Sequence, residues 1–150
     1  MLPSLAINIP DLIFVLLGLP LAVQDSKTNS VSVLLLFPTY AIWLISALAS
    51  GNSPVCRLFL STIVLIIGAL GAYFFPDRLG EADILFLSGM SAIFSYWSFV
   101  IAVALGCIGA LSSFLWLSLK ERKNIFPIPI PFLPSLYWGG VAVILRGWQS

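Results

Sequence analysis

Histidine is absent from this sequence, cysteine occurs only twice, and charged residues make up just 9% of its 150 positions. Without histidine, the commonest metal ligand and the commonest general base are both missing. Cys56 and Cys107 form no C-x-x-C unit, so no thiolate zinc site, and no metal or cofactor, is expected; lone cysteines in apolar runs read as small packing residues. A net charge of +1 gives no reason to expect a nucleic-acid partner. Polar sequence long enough to fold as a soluble domain is also lacking. What remains is apolar: 60% of the residues are hydrophobic, in runs comparable with the roughly 20 residues of helix that cross a hydrocarbon core. The pattern predicts an all-α, polytopic membrane protein, a single membrane-embedded domain over residues 1–150 with the lipid bilayer as its surroundings.

The chain carries no basic leader and its first charge is Asp11, so the opening run reads as a retained helix rather than a signal peptide. That first helix is expected from about Leu5 to Gln24, with Asp11 at headgroup level and Pro20 able to bend it. Asn29 or Ser30 is a candidate N-cap for a second helix, from about Ser30 to Ala49. After a Gly51-Asn52-Ser53-Pro54 turn, a third helix is expected from about Val55 to Phe75. A short fourth helix follows from about Glu81 to Phe94. Ser95-Tyr96-Trp97-Ser98 reads as an interfacial turn before a fifth helix from about Phe99 to Leu119. Alternate prolines in Phe126–Pro131 exclude a continuous helix there, and a last helix runs from about Phe132 to Leu145. Gly68, Ala69, Gly71 and Ala72, and again Ala102, Gly106 and Ala110, form small-residue faces that serve packing within the chain or a homo-oligomer equally well.

About six crossings place the loops after the first, third and fifth helices on one side. Those loops hold Lys27, Arg78, Lys120, Arg122 and Lys123, against Arg57 and Arg146 opposite, so the first group is expected to be cytoplasmic and both termini outside. The same topology puts Asp25 and Asp83 at one membrane face. Each stands where an apolar run meets a polar loop, and a carboxylate at the mouth of a membrane helix is costly to desolvate without a partner or a function.

Two carboxylates brought within a few ångströms do not both ionise easily, so one keeps its proton. Such a pair can share a water, whose proton the ionised member takes as it attacks a scissile carbonyl while the protonated member polarises the carbonyl oxygen. Neither histidine nor a nucleophilic serine is needed. Gly80 and Ala82 flank Asp83 with little bulk, which permits a tight turn into the helix and close approach of a substrate backbone. Lys27 and Glu81 are near enough in sequence to contact a substrate or tune the pair, although a topology-setting lysine and a solvated loop acid explain them as well. Asp77 and Arg78 have the same two readings.

In this order the motifs resemble the type IV prepilin peptidases, the membrane aspartic proteases that include the archaeal preflagellin peptidases. Asp25, with Val31-Ser32 beyond a short polar loop, is similar to that family's first catalytic aspartate. Gly80-Glu81-Ala82-Asp83 is similar to its G-x-G-D-type second motif, in which alanine at the third place is a familiar variant. Ile130-Pro131-Phe132-Leu133-Pro134, after a basic loop, is similar to the I-P-F-x-P segment that opens its last helix. The resemblance implies an aspartic endopeptidase of the cell membrane. It would remove the short basic leader of prepilin-like subunits at the cytoplasmic face, with Asp25 and Asp83 as the catalytic pair. Many relatives carry lysine where this chain has Leu85, and the asparagine or proline often found after the first motif is replaced here by Val33 or absent. The cysteine-bearing methyltransferase insertion of the larger members has no counterpart. An inactive pilus-assembly component of the same fold, and a small proton-coupled transporter relaying through the two aspartates, are the alternatives. The scarcity of midplane acids and amides counts against the transporter.

Overall fold

The computed structural model describes residues 8–49, 54–74, 80–121 and 132–146, with the side chains of Lys120 and Glu121 excluded. Among these residues the chain is helical, without strand: α1 Ile9–Thr28, α2 Val33–Ala49, α3 Pro54–Phe74, α4 Glu81–Ile93, α5 Tyr96–Glu121 and α6 Leu133–Leu145. Asp77, Arg78, Arg122, Lys123, the Gly51-Asn52-Ser53 portion of the turn and the Phe126–Pro131 segment lie outside the described residues.

Three helices, α1, α3 and Tyr96–Leu119 of α5, have the length and apolarity to cross a membrane. The 17 residues of α2 and the 13 each of α4 and α6 fall short of that length. Packing explains the short ones. Helix α4 touches all five others and α6 lies between α1 and α5, so most of the surface of these short helices faces protein. Eight of the 13 residues of α4 are buried, whereas Ser61 is the only residue of α3 that is. Long helices with apolar surfaces therefore surround a short, protein-embedded one.

Local chemistry sets the helix ends. Helix α1 runs unbroken through Pro20 and continues past Gln24, because Thr28 Oγ1 donates to the Gln24 carbonyl (2.9 Å) and Asn29 closes the helix in the left-handed region at φ 49°. The Asn29 N–H donates to the Asp25 carbonyl at 2.8 Å. Asn29 thus ends α1 rather than starting α2, a role its short amide side chain tolerates better than a branched one would. At the other boundary the expected interfacial turn shrinks to a break at Phe94 and Ser95. Ser95 Oγ accepts the Ser98 N–H (3.4 Å) and donates to Ser98 Oγ (2.8 Å), a serine N-cap that starts α5 at Tyr96, three residues early.

Aromatic rings fill the centre. Phe14 meets Phe94, Trp43, Phe86 and Tyr137 with ring centroids 5.0–5.9 Å apart, in tilted, edge-on and stacked arrangements that suit aromatic quadrupoles. A hydroxyl ladder ties α3 to α4: Ser61 Oγ and Ser88 Oγ are 2.8 Å apart, and Tyr40 OH lies 3.1 Å from the same Ser88 Oγ. Both hydroxyls bond across to the opposite main chain at 3.0 Å, which gives these polar groups partners inside an apolar bundle.

The α5 face and Gly68 of α3 are used in this packing, whereas Gly71 of α3 faces open space. Gly106 lies against Leu136, Gly68 against Ile84, and a side chain at Gly139 would collide with the Ala102 carbonyl oxygen. That last neighbour is backbone and cannot rotate away. Gly139→Val is therefore expected to separate α5 from α6 and destabilise the fold by about 1–3 kcal/mol or more, read as a lowered thermal midpoint in detergent. An unchanged midpoint would contradict this helix contact.

Candidate functional site

Three helix ends meet at one end of the bundle: the last turn of α1 and the first turns of α4 and α6. The last turn of α1 holds Asp25, which is buried although it lies three residues before the helix ends. The carboxyl of Asp25 accepts the Leu133 backbone N–H, the first N–H of α6. Its Oδ2 atom is buried and accepts no hydrogen bond from the described residues. Leu133 stands between Phe132, the N-cap, and Pro134 in the first turn, a position where proline sets helical geometry without losing a needed donor. Through that turn, the positive end of the α6 dipole faces the Asp25 carboxylate.

Asp83 occupies the third position of α4, half-buried, and its carboxyl accepts the Gly80 N–H. This is the reciprocal half of a capping box, a carboxylate reaching back to the N-cap donor. A Cβ on Gly80 would stand 3.2 Å from Asp83 Oδ2, so the glycine leaves the carboxyl room to reach back. Ala82 and Leu85 turn inward and pack with Val31 and Phe132 against the apolar core.

The charge of Asp25 reaches Asp83. Asp83 lies outside the three membrane-length helices, and its carboxyl is pushed up to about 6, first by burial and then by the negative charge of Asp25. The Gly80 N–H opposes the rise without cancelling it. Of the residues singled out in the sequence, Asp25, Asp83, Gly80 and Ala82 are thus brought to one place. Lys27 and Glu81 are exposed, and the charge acting on Asp83 comes from Asp25 rather than from either. Among the described residues no cluster of three metal-capable side chains forms.

Sequence reasoning missed the Leu133 N–H. The prolines around it marked a helix start, but no residue identity tells which carboxylate a backbone donor will face. It also gave no sign that Asp11 would be buried. The side chain is only 3% exposed, in the first turn of α1 at the end of the bundle opposite Asp25, where its Oδ2 accepts the Asn8 N–H at 3.2 Å. The chain matches no protein-family model, no curated protein and no solved structure.

Proposed function

We propose that this chain is a membrane aspartic endopeptidase of the prepilin peptidase type, removing the basic leader of prepilin-like subunits at the cytoplasmic face of the cell membrane. In this reading the chain crosses the membrane about six times with both termini outside, as the distribution of lysine and arginine favours. The observation that carries the reading is the placement of Asp25, in the last turn of α1, and Asp83, in the first turn of α4, at the same end of the bundle, near enough for the charge of one to act on the other.

The chemistry follows from the pair. One carboxyl holds a proton and the other does not; the titration belongs to both. The ionised member takes a proton from water as that water attacks the scissile carbonyl. The protonated member donates to the carbonyl oxygen, stabilising charge as it develops there. Collapse of the tetrahedral intermediate breaks the C–N bond, and the departing amine takes its proton from the pair. The N-terminal turns of α4 and α6 fix both carboxylates by one N–H each, which preorganises the site without further side chains.

A second reading is a non-catalytic assembly component of the same fold. It is favoured by the Gly80 N–H contact, which by itself gives Asp83 a capping role, and by Leu85, which packs against the core where many of the family's enzymes carry lysine. Co-expression with a cognate prepilin separates the two. The peptidase reading expects a leader-free product with the wild type and none with Asp25→Asn or Asp83→Asn at equal membrane abundance. Absence of cleavage by the wild type across cognate prepilins favours the assembly component, and cleavage by both single variants rejects the pair as the site.

A further inference from the structure

Gln24 precedes Asp25 on α1 and stands half-buried at the same end of the bundle. Its Oε1 accepts the Ser32 N–H at 3.2 Å. A backbone N–H can only donate, so the oxygen of this carboxamide must face Ser32 and its nitrogen faces the other way. Ser32 is itself held, because its carbonyl accepts the Leu35 and Leu36 N–H groups at 3.0 Å as α2 begins. The carboxamide is thus pinned between the end of one helix and the start of the next.

The rest of the connection is gathered around the same residue. The Gln24 carbonyl accepts Thr28 Oγ1 (2.9 Å), and Thr28 Oγ1 accepts Ser30 Oγ (3.1 Å). Val31 packs against the apolar core along with Ala82, the neighbour of Asp83. On the last turns of α1, Ser26 and Thr28 donate their hydroxyl hydrogens to main-chain carbonyls, Asp25 accepts the Leu133 N–H and Lys27 is exposed. Gln24 Nε2 donates to none of the described residues. A half-buried amide with two N–H groups to give is therefore left beside a carboxyl pair that mainly accepts. Successive side chains on a helix diverge by about 100°, so this donor flanks the pair on the α2 side rather than entering it.

We propose that Gln24 is a substrate-binding residue, its Nε2 donating to a backbone carbonyl of the peptide chain next to the scissile bond. A peptide drawn to the pair loses water from its carbonyls, and each one left without a donor costs free energy. A neutral amide satisfies such a group without regard to the side chains around it, and brings no charge that would disturb the aspartates. Because Ser32 already fixes the carboxamide, binding freezes little further rotation. The inference rests on the peptidase reading and deepens it.

Leader cleavage of a cognate prepilin by the full chain, with kcat and KM measured separately for the wild type, Gln24→Glu and Gln24→Met, tests it. A glutamate side chain keeps an oxygen for the Ser32 N–H but has no N–H to give; a methionine side chain lacks both and carries no charge. Both variants are expected to raise KM about three- to tenfold, the worth of one neutral hydrogen bond. A change in kcat of less than about twofold is expected with it, as for a contact made equally in the ground and transition states. Gln24→Met alone should also lower the thermal midpoint, through the lost Ser32 contact. A KM raised only in Gln24→Met would make the residue a clamp on the connection, and one raised only in Gln24→Glu would make the effect one of charge; either result overturns the assignment. A wild type that cleaves no cognate prepilin overturns the peptidase reading itself, whereas a wild type that cleaves, with KM unchanged in both variants, overturns this inference alone.

Discussion

On the proposed peptidase reading, asparagine at position 25 or at position 83 is expected to lower leader cleavage about 10²–10⁴-fold, and the double variant to be scarcely worse than either single one. Each substitution keeps the size of the side chain and an oxygen to accept the backbone N–H, from Leu133 in one case and from Gly80 in the other. What it removes is the ability to take or give a proton, a function worth typically 10²–10⁴-fold. Strong non-additivity follows from the pair acting as a unit: once one member is lost, the other has no partner with which to share a proton. Multiplicative losses in the double variant would mean that the carboxyls act independently.

The second large effect is on stability against pH. The Asp83 carboxyl is raised from 3.8 to about 6, by burial more than by Asp25, so the folded state holds this proton more tightly than the unfolded state does. Its contribution is complete below 3.8 and is lost as pH rises through about 6. A rise of this size corresponds to about 3 kcal/mol, or roughly 5–10 °C in thermal midpoint. The wild type in detergent should therefore be more stable at about pH 4.5 than at about pH 7.5 by much of that amount, through this group. Asp83→Asn, which cannot ionise, should narrow the gap and raise the midpoint on the alkaline side. A gap unchanged by Asp83→Asn would assign the dependence to other groups.

Length of apolar run was enough to find every helix among the described residues, because nothing else in such a sequence hides so much hydrocarbon. Where the ends fall was less legible. Asn29 has the composition of an N-cap, yet its tolerance of the left-handed region makes it the residue that closes α1, and this brings Asp25 inside a helix rather than after one. Ser95 was read as part of a turn because Tyr96 and Trp97 are interfacial residue types; both are exposed, on a helix that Ser95 starts. The short span of α4 carried the signal that it is wrapped by protein, since a helix surrounded by others need not match the bilayer.

The motif order singled out Asp25 and Asp83 with their small neighbours, and the fold brings the two aspartates to one end of the bundle. The backbone donors that hold the carboxyls were invisible, because every residue but proline has an N–H and only the fold decides where it points. Asp11 shows the limit most clearly. An acid in the first turn of a membrane helix has the same sequence signature whether its side chain is exposed or buried, and here Asp11 is buried beside residues of α2, α3 and α4.

Infrared titration of the carboxyl groups in the purified chain tests most directly whether Asp25 and Asp83 form one electrostatic pair. Difference spectra of the wild type against Asp83→Asn isolate the Asp83 band, and the same comparison in an Asp25→Asn background removes the neighbouring charge without substrate or activity being involved. A midpoint near 6 that falls when Asp25 is replaced, while staying above 3.8 because burial remains, is the predicted result. An Asp83 midpoint that does not move with Asp25→Asn would contradict the pair.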